Sequence, residues 1–300
     1  MLNRRKVLLS LLAQRERPMP ITRANLLLSL MNLDLEKPLY QFIPTASGPA
    51  SIDLLHDLSA FEKAGEVTVS DEAIQFHEDA IDPLSYALDE GEQDLLLESL
   101  ARYGAKREQA LLDEVIGRRP FFAIRSERSD AAVEAIREEI LSAPRGLYTL
   151  GYEGLSIDAF INHLIAANIQ TVVDVREFAF SRRSEFTKSN LEEALALGGI
   201  AYIGMGEVGI PTKARKEILE HKSKEELLEY YEAEILPATG LYAKNIAALV
   251  AQHNTALICH EEDPLLCHRS RFAAFALMKE PSISLVHDIR TKGTEGSGWW

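Results

Sequence analysis

The C-terminal half of the sequence predicts an α/β domain with a mostly parallel sheet flanked by helices, and the N-terminal half a helical domain with a small β-hairpin. Three observations carry this. From residue 147 onward, apolar runs of strand length alternate with helical stretches; before it, apolar residues recur at helical spacing; and Ser142-Ala143-Pro144-Arg145-Gly146 interrupts the pattern between them. A chain of 300 residues, 46% apolar and 26% charged, is long enough for two cores and too apolar for disorder.

The elements follow in order. Val7, Leu8, Leu11 and Leu12 mark a first helix. Thr22 or the turn at Pro20 opens a second through Leu26, Leu27, Leu30 and Met31. Tyr40 to Pro44 reads as extended and Ser47-Gly48-Pro49 as a turn. Ser51 caps a third helix carrying Ile52, Leu54, Leu55, Leu58 and Phe61, and Gly65 ends it. Glu66 to Ser70 and Ala73 to His77 then form a strand pair around Asp71-Glu72. Residues 78–144 are acidic and helical, with Leu95, Leu96, Leu97 and Leu100 as core positions. Three parts result: 1–77, 78–144 and 145–300.

Three helices followed by a hairpin resemble winged-helix modules of a kind in which Pro38-Leu39-Tyr40-Gln41-Phe42-Ile43-Pro44 and Gly48-Pro49 lead into a helix like Ser51 to Ala64. Arg102-Tyr103-Gly104, Leu111 to Val115 and Pro120 to Ser126 are similar to the helical region that follows such modules. The third helix of DNA-reading members enters the major groove with basic support. Here it carries Asp53, Asp57 and Glu62 beside Lys63, so a protein partner or a homodimer through this module stands as an equal reading.

Net charge is −14, which excludes uniform attraction to phosphate or anionic lipid. Residues 1–30 run the other way, with Arg4, Arg5, Lys6, Arg15, Arg17 and Arg23 against Glu16; this end is either a nucleic-acid footing or a solvated helix face. It reads as a helix and not a signal peptide, because Arg15-Glu16-Arg17 follows the apolar run without a small-residue cleavage pattern. No window approaches the ~18 apolar residues of a membrane span. Two cysteines, Cys259 and Cys267, make no disulfide framework, so the expected compartment is the cytoplasm.

In the C-terminal half, Leu147 to Tyr152, Thr171 to Val175, Ile200 to Ile203, Ala256 to Cys259 and Ile283 to Ile289 read as strands. Helices lie between them, including a long charged excursion from Pro211 to Val250 whose Glu217 to Glu234 portion reads as a solvated face. Strands separated by helices pair in parallel, and ligands of such sheets settle beyond the strand C-termini. Those ends carry Gly151-Tyr152, Asp174-Val175-Arg176 with Arg182-Arg183, and Cys259-His260-Glu261-Glu262-Asp263-Pro264 leading to Cys267-His268-Arg269 at a helix start. Guanidinium groups and a helix N-terminus together favour an anion.

Four of these phrases stand in the order typical of a known family. Thr149-Leu150-Gly151-Tyr152-Glu153-Gly154, Val173-Asp174-Val175-Arg176 with Ser181-Arg182, Tyr202 to Gly209, and Leu257-Ile258-Cys259 with Glu261, Asp263-Pro264 and Cys267-His268-Arg269 resemble the domain of unknown function 488 family. His260 stands where members commonly have a small residue. The resemblance implies a fold and a site without a reaction; as an association only, it adds genomic settings of nucleic-acid modification, stress or phage defence.

The expectation is a phosphate-bearing nucleotide or nucleic-acid end held by Gly151, Tyr152, Asp174, Arg176, Arg182, Arg183 and Arg269. Cys259, Glu261, Asp263, Cys267 and His268 form the reactive shell, with the Cys267 thiolate favoured by the helix N-terminus and Arg269. A non-enzymatic DNA-binding or ligand-sensing regulator is the alternative. Rhodanese-like sulfur transfer is a further one, although seven residues separate the cysteines. Cys259, His260, Cys267 and His268 include metal-ligand types, but adjacent pairs depart from Cys-x-x-Cys spacing, and no metal or cofactor is assigned.

Overall fold

A computed structural model describes residues 3–14, 18–33, 35, 37–70 and 73–289. Arg15, Arg17 and the predicted hairpin turn at Asp71-Glu72 lie outside the described residues. The chain divides into two compact units, Met1–Ile136 and Arg137–Gly298.

The first unit is helical with a small antiparallel sheet. Helices α1 (Asn3–Ala13), α2 (Ile21–Asn32) and α3 (Ile52–Lys63) bury the leucines that set their periodicity, except Leu55, which is half-buried. Ser51 caps α3 by accepting from the Leu54 amide at 3.3 Å. Strand β1 (Met19–Pro20), a segment whose sequence indicates only a turn, pairs antiparallel with β5 (Ala73–Phe76), which also pairs with β4 (Val67–Val69). Strands β2 (Ile43–Thr45) and β3 (Gly48–Ala50) form a separate hairpin, so the turn falls one step before Gly48, whose φ of +109° suits glycine. Helices α4 (Glu90–Tyr103) and α5 (Glu108–Arg118) follow, and the division between the units falls within α6 (Ala131–Leu141). Residues 78–86, expected to be helical, form only two short 3-10 turns, because Pro83 lacks an amide and Asp82 caps the second.

In this unit Arg4, Arg5 and Arg23 of the basic end are already engaged. Arg4 Nε and Arg5 Nε donate to Asp57 at 2.8 and 2.7 Å, Arg4 Nη1 donates to Asp53 at 3.0 Å, and Arg23 donates to the carbonyls of Lys106 and Gly104. Of the two readings of residues 1–30, these pairings remove the footing from Arg4, Arg5 and Arg23.

The second unit is the predicted parallel α/β domain. Strands β6 (Leu147–Gly151), β7 (Thr171–Asp174), β8 (Ala201–Gly204), β9 (Thr255–Cys259) and β10 (Val286–Asp288) form one sheet ordered β10-β6-β9-β7-β8, every pair parallel. Helices α7 (Ile157–Ala166) and α8 (Lys188–Leu197) follow the first two strands, and α12 (His268–Lys279) follows β9. The charged excursion is broken into α9 (Thr212–Leu219), α10 (Lys224–Tyr230), a π-helical turn Tyr231–Ile235, a 3-10 turn at Pro237 and α11 (Gly240–Gln252). Leu227, Leu228 and Tyr231 are buried, so this segment packs one face into the core while its acidic residues face outward. Among the described residues, no helix is long and apolar enough to cross a membrane.

Candidate functional site

Register fixes the site. Gly151 pairs with Cys259, and Asp174 with both Ile258 and Gly204, so four strands end level with β9 between β6 and β7. Side chains leaving these ends meet at one edge, as expected for an open parallel sheet.

Asp174 is buried and its carboxylate is fully engaged. Arg176 Nε donates to Oδ1 at 2.8 Å and Nη2 to Oδ2 at 2.5 Å, while Tyr202, a residue whose strand position gave no sign of this role, donates its hydroxyl to Oδ2 at 3.0 Å. The other guanidinium arm, Nη1, donates to the Tyr152 hydroxyl at 2.8 Å and the Phe186 carbonyl at 2.9 Å. Tyr152 stacks on Phe186 with ring centroids 4.2 Å apart. Burial pushes the Tyr152 phenol up, against the nearby Arg176 charge and bonds from Ser181 and Arg176. Arg176 is thus a neutralised strut with one edge toward the cavity.

That cavity, of about 410 Å³, is lined by Tyr152, Arg176, Arg182, Arg183, Cys259 and His260 together with Phe178, Phe180 and Arg215. Arg183 is occupied by Glu185 and by the Leu155 carbonyl. Arg182 is exposed and has no hydrogen bond or ion pair among the described residues, and Arg215 Nε has no hydrogen-bond partner among them. Phe178 and Phe180 stand 67% and 77% exposed at the rim. Sequence reasoning misses Arg215 because α9 reads as a charged, solvated helix. The signal was the Gly206 to Thr212 stretch: Gly206 and Gly209 lie where a side chain would strike the Glu177 backbone, and Glu177 accepts from the Thr212 amide and hydroxyl at 2.5 and 2.7 Å. This fastens the start of α9, and hence Arg215, to the arginine loop.

Beneath the cavity lies a cysteine–histidine cluster. One ligand-type atom from each of Cys259, Cys267 and His268 lies within 4.8 Å of the others, and all three residues are buried. His268 Nε2 is 2.9 Å from the Val175 carbonyl, an obligate acceptor, so that nitrogen carries the proton and Nδ1 turns its lone pair toward Cys259 Sγ, 3.8 Å away. Cys259 Sγ also donates to Glu261 Oε2 at 3.4 Å. Burial alone would raise the Glu261 carboxyl, but its own backbone amide, the Cys267 and Cys259 thiols and the Arg215 charge hold it below its ordinary value. Glu261, His268 and Arg215 also line a smaller cavity of about 60 Å³.

Several expectations are corrected here. Arg269 is 0% exposed, donating through Nη1 and Nη2 to the Glu261 and Glu262 carbonyls with Asp288 at 3.7 Å; it holds the loop after β9 and does not reach an anion in the cavity. The Cys267 thiol is raised well above its ordinary value by burial and by Cys259, so the helix N-terminus does not win there. Gly151 admits no ligand: a Cβ there would lie 1.8 Å from the Glu261 carbonyl oxygen, so backbone fills its space. Asp263 is exposed, caps the 3-10 turn Pro264–Leu266 through the Leu265 amide at 2.9 Å, and lines neither cavity. Asp174 touches Arg176 and Tyr202 and does not line the cavity.

The class is therefore a parallel α/β domain with an arginine-lined cavity above a buried thiol–imidazole cluster at its strand ends. Residues 156–276 match the family model described as Domain of unknown function DUF488, and the second unit carries that domain. No curated protein and no solved structure matches the chain.

Proposed function

We propose that the C-terminal domain binds a phosphate-bearing nucleotide, or the phosphate at a nucleic-acid end, in the cavity at the strand ends and acts on it there. The observation that carries this reading is that Arg182 and Arg215 both line the cavity, neither of them hydrogen-bonded or salt-bridged to a carboxylate among the described residues. A guanidinium without an internal partner suits a phosphate, to which it donates in a planar fork. Phe178 and Phe180 at the rim offer faces for a base, and stacking of that kind contributes about 1–3 kcal/mol per base. A volume of about 410 Å³ falls in the range of small-ligand sites. Cys259, which lines the cavity, supplies the reactive shell together with Glu261 and His268 beside it.

A second reading, a non-enzymatic regulator, is favoured by one observation. The order α1, β1, α2, the β2–β3 hairpin, α3, then β4 and β5 with β1 added to their edge is similar to a winged-helix module with one hairpin inserted before its third helix. With Arg4, Arg5 and Arg23 engaged internally, a protein partner or a homodimer suits that module better than DNA.

The test is a titration with fluorescent nucleotides at several salt concentrations. Arg182→Ala and Arg215→Ala each weaken binding about tenfold, corresponding to the loss of ~1.4 kcal/mol, and flatten the salt dependence. A double variant that binds the whole nucleotide panel as the parent does would overturn the reading.

A further inference from the structure

From the geometry of the cluster below the cavity, we infer that Cys259 Sγ, Cys267 Sγ and His268 Nδ1 form a binding site for a thiophilic divalent metal, zinc by chemistry, with a fourth position open on the Cys259 side. The three residues come from the end of β9 and the start of α12, so the fold joins ligands that look poorly spaced in sequence. Their ligand-type atoms already lie within 4.8 Å of one another. In a tetrahedral zinc site, sulfur and nitrogen ligands stand about 2.3 and 2.0–2.1 Å from the ion, so only small rotations of these side chains are needed.

The imidazole is prepared for this role. Metal-bound histidines hold their remaining ring N–H against a carbonyl or carboxylate, which fixes the tautomer and aims the lone pair. His268 does so with the Val175 carbonyl at 2.9 Å, and Tyr231 packs edge-on against the ring with centroids 5.5 Å apart. The Tyr231 hydroxyl is itself fixed, donating to the Val208 carbonyl at 2.9 Å.

Charge argues the same way. Two thiolates buried alone would carry two uncompensated negative charges, whereas two thiolates around a divalent cation leave the buried centre neutral. Metal entry releases both thiol protons. The three-ligand count is that of a centre that keeps one position for water or substrate, and Cys259 is the ligand that lines the larger cavity. The proposal shares that cavity's floor with the nucleotide reading but does not require the nucleotide.

The experiment titrates the full chain, reduced and stripped with chelator, with Co²⁺ under anaerobic conditions and no nucleotide present. One equivalent should produce thiolate-to-cobalt charge-transfer absorption and the visible bands of a tetrahedral centre, both bleached by one equivalent of Zn²⁺. Cys267→Ser should halve the charge-transfer intensity per bound cobalt, and His268→Gln should weaken binding at least tenfold. Where either variant fails to fold, zinc X-ray absorption of the unaltered protein decides, with two sulfur neighbours at about 2.3 Å expected. A coordination shell of only nitrogen and oxygen, no cobalt bands, or bands unchanged in Cys267→Ser would each overturn the site. The paired Arg182→Ala and Arg215→Ala variant should keep the cobalt spectrum intact while losing nucleotide, so failure of either proposal is distinguishable from failure of the other.

Discussion

The guanidinium of Arg176 closes on the carboxylate of Asp174, with Nε 2.8 Å from Oδ1 and Nη2 2.5 Å from Oδ2, and both side chains are shielded from solvent. A buried pair of this kind contributes little net stability, yet removing one partner is costly because it strands the other charge. Asp174→Ala should therefore destabilise the protein by about 3–5 kcal/mol. Tyr202→Phe, which removes one hydrogen bond to the same carboxylate, should cost only about 1 kcal/mol. Urea midpoints of the two variants check the ranking; equal losses would mean that the pair is not the structural strut described.

Gly151 and Arg269 both meet the backbone of the loop after β9. The first yields space to the Glu261 carbonyl, and the second donates to the carbonyls of residues 261 and 262. Gly151→Ala places a methyl group against backbone that cannot rotate away, so the loss should reach the upper part of the 1–3 kcal/mol range of about that size seen for overpacking. Arg269→Met should lower the unfolding midpoint as well, while leaving nucleotide affinity at constant folded fraction unchanged. A selective loss of affinity with normal stability would return Arg269 to the cavity.

The sheet was legible because its strands are short apolar runs cut by helices, and their shared ends followed from parallel pairing. Which side chains face the cavity was not. Arg176, Arg182, Arg183 and Arg269 look alike in sequence, yet one is bound to Asp174, one is exposed and unpaired among the described residues, one is taken by Glu185 and one is sealed beneath the loop. Those assignments depend on acceptors distant in the chain, most plainly the carbonyls facing Arg269. Arg215 was hidden by the opposite error, since a helix rich in Lys and Glu conceals the single arginine that the Glu177 contact turns toward the site.

Asp57 collects Arg4, Arg5 and the Tyr40 hydroxyl, the last at 3.0 Å. Both arginines retain some access to water, so Asp57→Ala should cost about 1–3 kcal/mol. The companion expectation concerns function: Arg5→Ala should leave nucleic-acid retention unchanged in gel-shift titrations, because that guanidinium is committed to Asp57. A marked loss of retention would restore the N-terminal end as a phosphate contact.

His163, half-buried in the last turn of α7, supplies the pH dependence. A helix C-terminus favours the imidazolium, but burial penalises the charge and holds the pKa below the ordinary value of about 6.5. The folded state then binds the proton more weakly than the unfolded chain. The stability tied to this difference is complete above about pH 6.5 and is lost as pH falls through the lower folded value. His163→Gln removes the titration and keeps a polar side chain of similar reach. Between about pH 7 and pH 5, the urea midpoint of the unaltered protein should fall more steeply than that of the variant, so the gap between them changes in the variant's favour on acidification. Parallel midpoint curves across that window would show that the folded protein does not depress the His163 pKa.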